Sequence, residues 1–120
     1  MRTTKIGSLD VSVIGYGSMG LSMSYGALPP EEQAISILRT AYSHGCRFFD
    51  TSEGYGPYTN EIYIGKAFHD VRTEIAIATK LYPAIFPGQE FLSQKLSREG
   101  VRAAIDSSLK RLQTSYVDLY

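Results

Sequence analysis

Three side chains of the types that cooperate in proton transfer stand out in this chain: Asp50, Tyr55 and Lys80, preceded by the glycine-rich turn Gly15-Tyr16-Gly17-Ser18-Met19-Gly20. A phenol with an ordinary pKa of about 10 is a poor acid–base group at neutral pH, but an adjacent ammonium favours the phenolate and lowers that value. Lys80 is expected to tune Tyr55 in this way, and a carboxylate at Asp50 would hold the lysine charged and oriented. Such a trio suits delivery of a proton to a carbonyl oxygen while a hydride arrives at its carbon, so the chemistry implied is carbonyl reduction. Each residue also has an ordinary use. Asp50 could cap a turn after a strand, Tyr55 is one of nine tyrosines, and Lys80 could simply end a strand at the surface. Their joint placement is what favours catalysis.

That placement depends on the elements around them. Thr3 to Ile6 and Leu9 to Val13 are short β-favouring runs around Gly7-Ser8, a dipeptide suited to a two-residue hairpin. Val13 to Tyr16 leads into a loop with Gly17, Gly20 and Gly26, and Pro29-Pro30-Glu31-Glu32 supplies a proline in the first turn of a helix and acids at its positive end. Ala34, Ile35, Leu38, Ala41 and Tyr42 recur at helical spacing, and Gly45 stops the helix. Cys46 to Asp50 is expected as a strand. Thr59 is expected to cap a helix carrying Ile62, Gly65 and Phe68 on one side, with Ile75 to Thr79 as a further strand. Val101, Ala104, Ile105, Leu109 and Leu112 mark another helix before a last strand, Tyr116 to Tyr120.

Strands alternating with helices imply a parallel sheet with right-handed crossovers, either a doubly wound open sheet or part of a (β/α)8 TIM barrel. A complete barrel needs about 250 residues, and these 120 hold three βα units plus a fourth strand, all one domain. In either architecture the carboxyl ends of the strands face one crevice, and that is where Asp50, Lys80 and the glycine-rich turn lie. Neighbouring strands run about 4.8 Å apart, so an Asp and a Lys at adjacent strand ends can touch. Gly54 and Gly56 allow the bends that bring Tyr55 back over that pair.

Twelve Lys+Arg balance twelve Asp+Glu, which gives no electrostatic reason to expect nucleic acid or an anionic membrane as partner. The single cysteine, Cys46, cannot form an internal disulfide and reads as a packed thiol in a reducing compartment. With no apolar leader or spanning stretch, a cytoplasmic protein is expected. His44 and His69 read as cations near helix C-termini, and no spacing of Cys and His suggests a metal.

The stretches Gly15-Tyr16-Gly17-Ser18-Met19-Gly20-Leu21-Ser22, Phe49-Asp50-Thr51-Ser52-Glu53-Gly54-Tyr55-Gly56, Asn60-Glu61 and Ala78-Thr79-Lys80 resemble the aldo-keto reductases over the whole chain. The N-terminal hairpin resembles the one that closes the barrel bottom in that family, and Tyr116-Val117-Asp118-Leu119-Tyr120 resembles its fourth strand. The resemblance implies the N-terminal half of a TIM barrel preceded by a β-hairpin and truncated after the fourth strand. It also implies Asp50, Tyr55 and Lys80 as three of four catalytic residues, with Tyr55 the proton donor. The cofactor implied is NADPH, its nicotinamide and ribose against Gly17, Ser18, Met19 and Asp50. The substrate implied is a small-molecule carbonyl, and the loop from Leu21 to Gly26 with Asn60-Glu61 is most similar to bacterial and plant members that reduce small aldehydes and ketones. The family's fourth catalytic residue, a histidine at the end of the fourth strand, would fall beyond Tyr120, and neither His44 nor His69 is placed to substitute. The chain is therefore expected to be part of a longer enzyme and, in isolation, an inefficient reductase.

Three other readings compete. A Rossmann interpretation of Gly15, Gly17 and Gly20 requires that the motif open a helix, whereas a polar loop follows it here. A receiver-type signalling domain would use Asp50, Thr79 and Lys80, but it needs clustered acids for Mg²⁺ that the first strand end lacks. A non-catalytic, cofactor-binding or regulatory barrel fragment is the remaining alternative.

Overall fold

The computed structural model describes residues 1–82 and 95–120. The chain opens with an antiparallel hairpin of β1 (Thr3–Ile6) and β2 (Leu9–Ser12), in register from Thr3↔Ser12 to Ile6↔Leu9. Gly7 has φ +60° at the first loop position. A positive φ at the first central residue only is the pattern of a type II′ turn, whose twist matches the strands it joins.

Three parallel strands follow in chain order, β3 (Tyr16–Gly17), β4 (Phe48–Asp50) and β5 (Ala76–Ala78). Gly17 lies opposite Asp50, and Asp50 opposite Ala78. Helix α1 (Glu31–Ser43) connects β3 to β4, and α2 (Thr59–Phe68) connects β4 to β5. Helix α3 (Arg98–Leu112) follows β5 and leads to a stretch alongside it. Spatial order repeating chain order has no reversal point, which separates this sheet from the doubly wound arrangement.

Alternation along the strands sorts the side chains by layer. Phe49 and Ile77 point into a core with Ala34, Leu38, Ile64, Ala67, Phe68 and Leu112, and the rings of Phe49 and Phe68 lie 4.3 Å apart between centroids. Burying a side chain such as Phe49 is worth about 1.5–3 kcal/mol. Phe48 and Asp50 point the other way, into a cavity of about 380 Å³ that Ile6 and Val11 of the hairpin help to line. The hairpin is fastened at the start of β4, where the Arg47 N–H donates to Ser12 Oγ at 2.8 Å. Cys46 is buried there, with Sγ 3.4 Å from the Phe48 carbonyl oxygen.

Several boundaries differ from the sequence expectation. Tyr16 and Gly17 are strand rather than turn, because they pair with Phe49 and Asp50. The glycine motif opens only a single 3-10 turn, Met19–Leu21, so the Rossmann geometry is absent. Pro30 stands just outside α1, at its N-cap, rather than within the first turn. Thr59 does not cap α2. It is the first helical residue, after Tyr58 at φ 66°, and its hydroxyl turns back toward the Gly56 and Pro57 carbonyls. The approach to the helix is held instead by backbone bonds, Tyr58 N–H to the Glu53 carbonyl at 2.8 Å and Asn60 N–H to the Tyr55 carbonyl at 3.2 Å. The expected strand Tyr116 to Tyr120 reduces to one parallel bridge, Ala78↔Leu119. There the Asp118 carboxylate accepts the Ile77 N–H at 2.8 Å and so replaces a backbone acceptor of the ladder.

Candidate active site

The three residues singled out by type converge at the carboxyl ends of the parallel strands. Asp50 is the last residue of β4, and Lys80 lies just past the end of β5. Lys80 Nζ is 2.9 Å from each Asp50 carboxylate oxygen and 2.8 Å from the Thr51 carbonyl oxygen. An ammonium has three donors, so this one is fully satisfied, with two of its bonds charge-assisted. The pair is nearly half exposed, 46% for Lys80 and 42% for Asp50, so its electrostatics orient the lysine rather than stabilise the fold by more than about 1 kcal/mol.

Tyr55 enters from the loop between β4 and α2. Lys80 Nζ stands 5.0 Å from the centroid of its ring, within cation–π range. The lysine thus meets the phenol through the ring face, while its N–H groups are directed at Asp50 and Thr51. Two glycines shape the loop for different reasons. Gly56 takes φ +103°, a left-handed backbone. Gly54 is needed for space, since a Cβ there would stand 2.7 Å from the Tyr82 ring.

The glycine-rich segment lies beside Asp50. A Cβ on Gly17 would meet no heavy atom within 4 Å, so this residue presents bare backbone to open space next to the carboxylate. Met19 is half-buried and Ser18 wholly buried. The Ser18 hydroxyl is turned inward, 2.6 Å from the Asp50 carbonyl oxygen and in contact with Asn60 Oδ1, and its backbone is engaged as well, the N–H donating to the Asp50 carbonyl at 3.0 Å and the carbonyl accepting from Asn60 Nδ2 at 2.8 Å. Tyr16 and Tyr120 are also phenols of this region. Burial pushes both up from the ordinary tyrosine value, and the negative charges of Glu53 and Glu61 add to the effect at Tyr120.

Beneath these groups lies a layer of buried polar residues to which the sequence assigned no role. Glu61 is completely buried, accepting from Thr79 Oγ1 at 2.6 Å and pairing with Arg111 Nε at 2.6 Å. Glu53 pairs with Lys95 at 2.8 Å and accepts the Tyr82 N–H at 2.9 Å. Asn60 joins Ser18, Ser22 and Thr51. A signal for Asn60 and Glu61 existed in the spacing. The buried face of α2 carries Asn60, Glu61, Ile64, Gly65, Ala67 and Phe68, whereas Ile62 is only half-buried. Polar residues on an apolar helical stripe must be paired when the stripe is buried. His44 and His69 stand at the C-caps of α1 and α2, away from the strand ends that carry Asp50.

Comparison with known proteins agrees with this arrangement. Residues 13–120 match the Aldo/keto reductase family. A probable aldo-keto reductase of Glycine max is 38% identical over 125 residues, covering 100% of this chain and 35% of its own length. A holo-form aldo-keto reductase of Bacillus halodurans superposes with a TM-score of 0.84 at 33% identity, covering 100% of this chain and 39% of that one. An aldo-keto reductase of Klebsiella pneumoniae, solved in complex with NADP and acetate, superposes with a TM-score of 0.71 at 29% identity, covering 91% of this chain and 34% of that one. The chain therefore spans little more than a third of the length of these relatives.

Proposed function

The chain belongs to the aldo/keto reductase family, and from that premise we propose that it is the N-terminal half of an NADPH-dependent oxidoreductase that reduces an aldehyde or ketone to an alcohol. Its elements correspond to part of the family's (β/α)8 barrel. The barrel would run past the stretch at Leu119, where further strands would supply a histidine and a clamp for the cofactor phosphates.

The observation that carries the reading is the Asp50–Lys80 pair with Tyr55 over it, at the strand ends where a barrel of this kind does its chemistry. The donor set suits a nicotinamide nucleotide. Gly17 leaves a bare, open surface for a flat ring, and the half-exposed Asp50 carboxylate can accept from ribose hydroxyls. Gly17, Met19 and Asp50 would hold that end of the molecule, with the buried Ser18 fixing the backbone between them. A nicotinamide held there would supply the hydride for the carbonyl carbon. Tyr55 gives its phenolic proton to the carbonyl oxygen as the C=O π bond breaks, and the Lys80 ammonium stabilises the negative charge left on the phenol. Asp50 and the Thr51 carbonyl keep the ammonium in place.

The test is Tyr55→Phe in the full natural chain, followed by NADPH oxidation with a small aldehyde. A fall in kcat of about 10²–10⁴-fold with NADPH binding retained is the expected result. Unchanged turnover would overturn the assignment. The isolated 120-residue chain should be an inefficient reductase, and steady NADPH oxidation by it that Tyr55→Phe abolishes would contradict this.

A further inference from the structure

Asn60 makes more connections at the site than any catalytic role asks of it. Its side chain is completely buried in the first turn of α2, and both its N–H groups and its oxygen have partners. Nδ2 donates to the Ser18 carbonyl and to Ser22 Oγ, each at 2.8 Å. Oδ1 accepts from Thr51 Oγ1 at 2.7 Å and is also in contact with the Ser18 hydroxyl. The Asn60 backbone N–H donates to the Tyr55 carbonyl at 3.2 Å. One residue thus ties together the segment after β3, the residue following Asp50, and the backbone of Tyr55.

An amide offers donors and an acceptor at one place. The Ser18 carbonyl, which also accepts the Leu21 N–H at 2.9 Å, takes a second donor from one arm, and the Thr51 hydroxyl donates to the other arm of the same side chain. A buried polar cluster of this kind resists displacement, because moving the amide leaves a buried donor or acceptor unpaired.

We propose that Asn60 is a positioning residue that sets the Ser18–Ser22 segment for the nicotinamide end of the cofactor and holds it in register with Asp50 and Tyr55. This rests on the reading of Gly17 to Met19 as the cofactor surface. Asn60 touches neither cofactor nor substrate; it acts through Ser18, Ser22 and Thr51. Cofactor binding should then be strong because the segment is already ordered before the ligand arrives.

The experiment compares wild type, Asn60→Asp and Ser22→Ala in the full natural chain, with Asp70→Asn as a control in the exposed pair with Arg39. Asn60→Asp keeps the acceptor but loses both donated bonds, and Ser22→Ala removes one partner and keeps the cluster otherwise intact should Asn60→Asp fail to fold. Hydrogen exchange without cofactor and NADPH affinity are both measured. The expected result for Ser22→Ala is exchange of the 18–22 amides faster by about tenfold, with α3 unchanged, and an NADPH Kd raised by about tenfold, the effect of one lost hydrogen bond, and larger changes of the same kind for Asn60→Asp, which loses two. Asp70→Asn should leave both within about twofold, since Asp70 is exposed and touches none of these groups. Exchange that rises equally in α3, or a loosened segment with unchanged NADPH affinity, would overturn the inference alone. Wild type with a protected segment but no NADPH binding would overturn the cofactor reading and the inference together.

Discussion

Lys80 has three donors and three oxygen partners, and this limits how it can serve Tyr55. With its N–H groups committed to Asp50 and Thr51, its influence on the phenol runs through the ring face and through space. Lys80→Met should therefore lower kcat for aldehyde reduction by about 10²-fold or more while leaving NADPH affinity nearly unchanged, as steady-state kinetics and a binding titration would show. Lys80→Arg should not rescue it, because a planar guanidinium cannot direct its N–H groups at a carboxylate and a carbonyl placed for a compact ammonium. The Asp50–Lys80 contact was legible from the sequence, since two strand ends on neighbouring strands fix where their side chains begin. Its third partner was not. The Thr51 carbonyl is backbone, and no residue letter announces which carbonyls a fold leaves free. Nor was the direction of the Ser18 hydroxyl legible, because its neighbours, the Asp50 carbonyl and the side chain of Asn60, lie 32 and 42 positions along the chain.

At the scale of elements, α2 is set by its buried polar face as much as by its apolar one. Its existence was readable from periodicity, but the stripe was placed on Ile62 where the buried residue is Ile64, because the polar Asn60 and Glu61 concealed the true face. The same face comes very close to α3. A Cβ on Gly65 would stand 2.4 Å from the Arg111 carbonyl oxygen. Gly65→Ala must push the helices apart or strain the end of α3, so it should lower stability in urea by about 1–3 kcal/mol, despite the better helix propensity of alanine. On the outer surface Arg39 of α1 reaches Asp70, just beyond α2, at 2.6 Å. The hydrogen bond from Arg39 holds the Asp70 carboxyl below its ordinary value of 3.8. A carboxyl depressed in the folded state stabilises the fold above its unfolded value, and that contribution is lost as the pH falls through the lower, folded one. Asp70→Asn should accordingly be slightly less stable than wild type near neutrality, and the difference should vanish in acid, as urea titrations at several pH values would show.

For the molecule as a whole, a parallel sheet with intervening helices was predictable from the alternation of periods alone, which left a doubly wound sheet and part of a barrel both open. The extent of the strands was not, because β3 is two residues long and the last stretch contributes one bridge, pairings too short to leave a pattern. The sheet face opposite the helices has consequences for the isolated chain. Val13, which lines the cavity of the hairpin, is 45% exposed, and Ile14 next to it in the chain is 64% exposed. The 120-residue chain should therefore self-associate, and Ile14→Ser should shift its sedimentation toward a single copy. The agreement between spatial order and chain order also bears on how the protein is made. The hairpin closes within a dozen residues, and each later strand docks on one already synthesised. Assembly can therefore keep pace with the ribosome, adding one strand and its covering helix at a time without waiting for a distant partner to emerge.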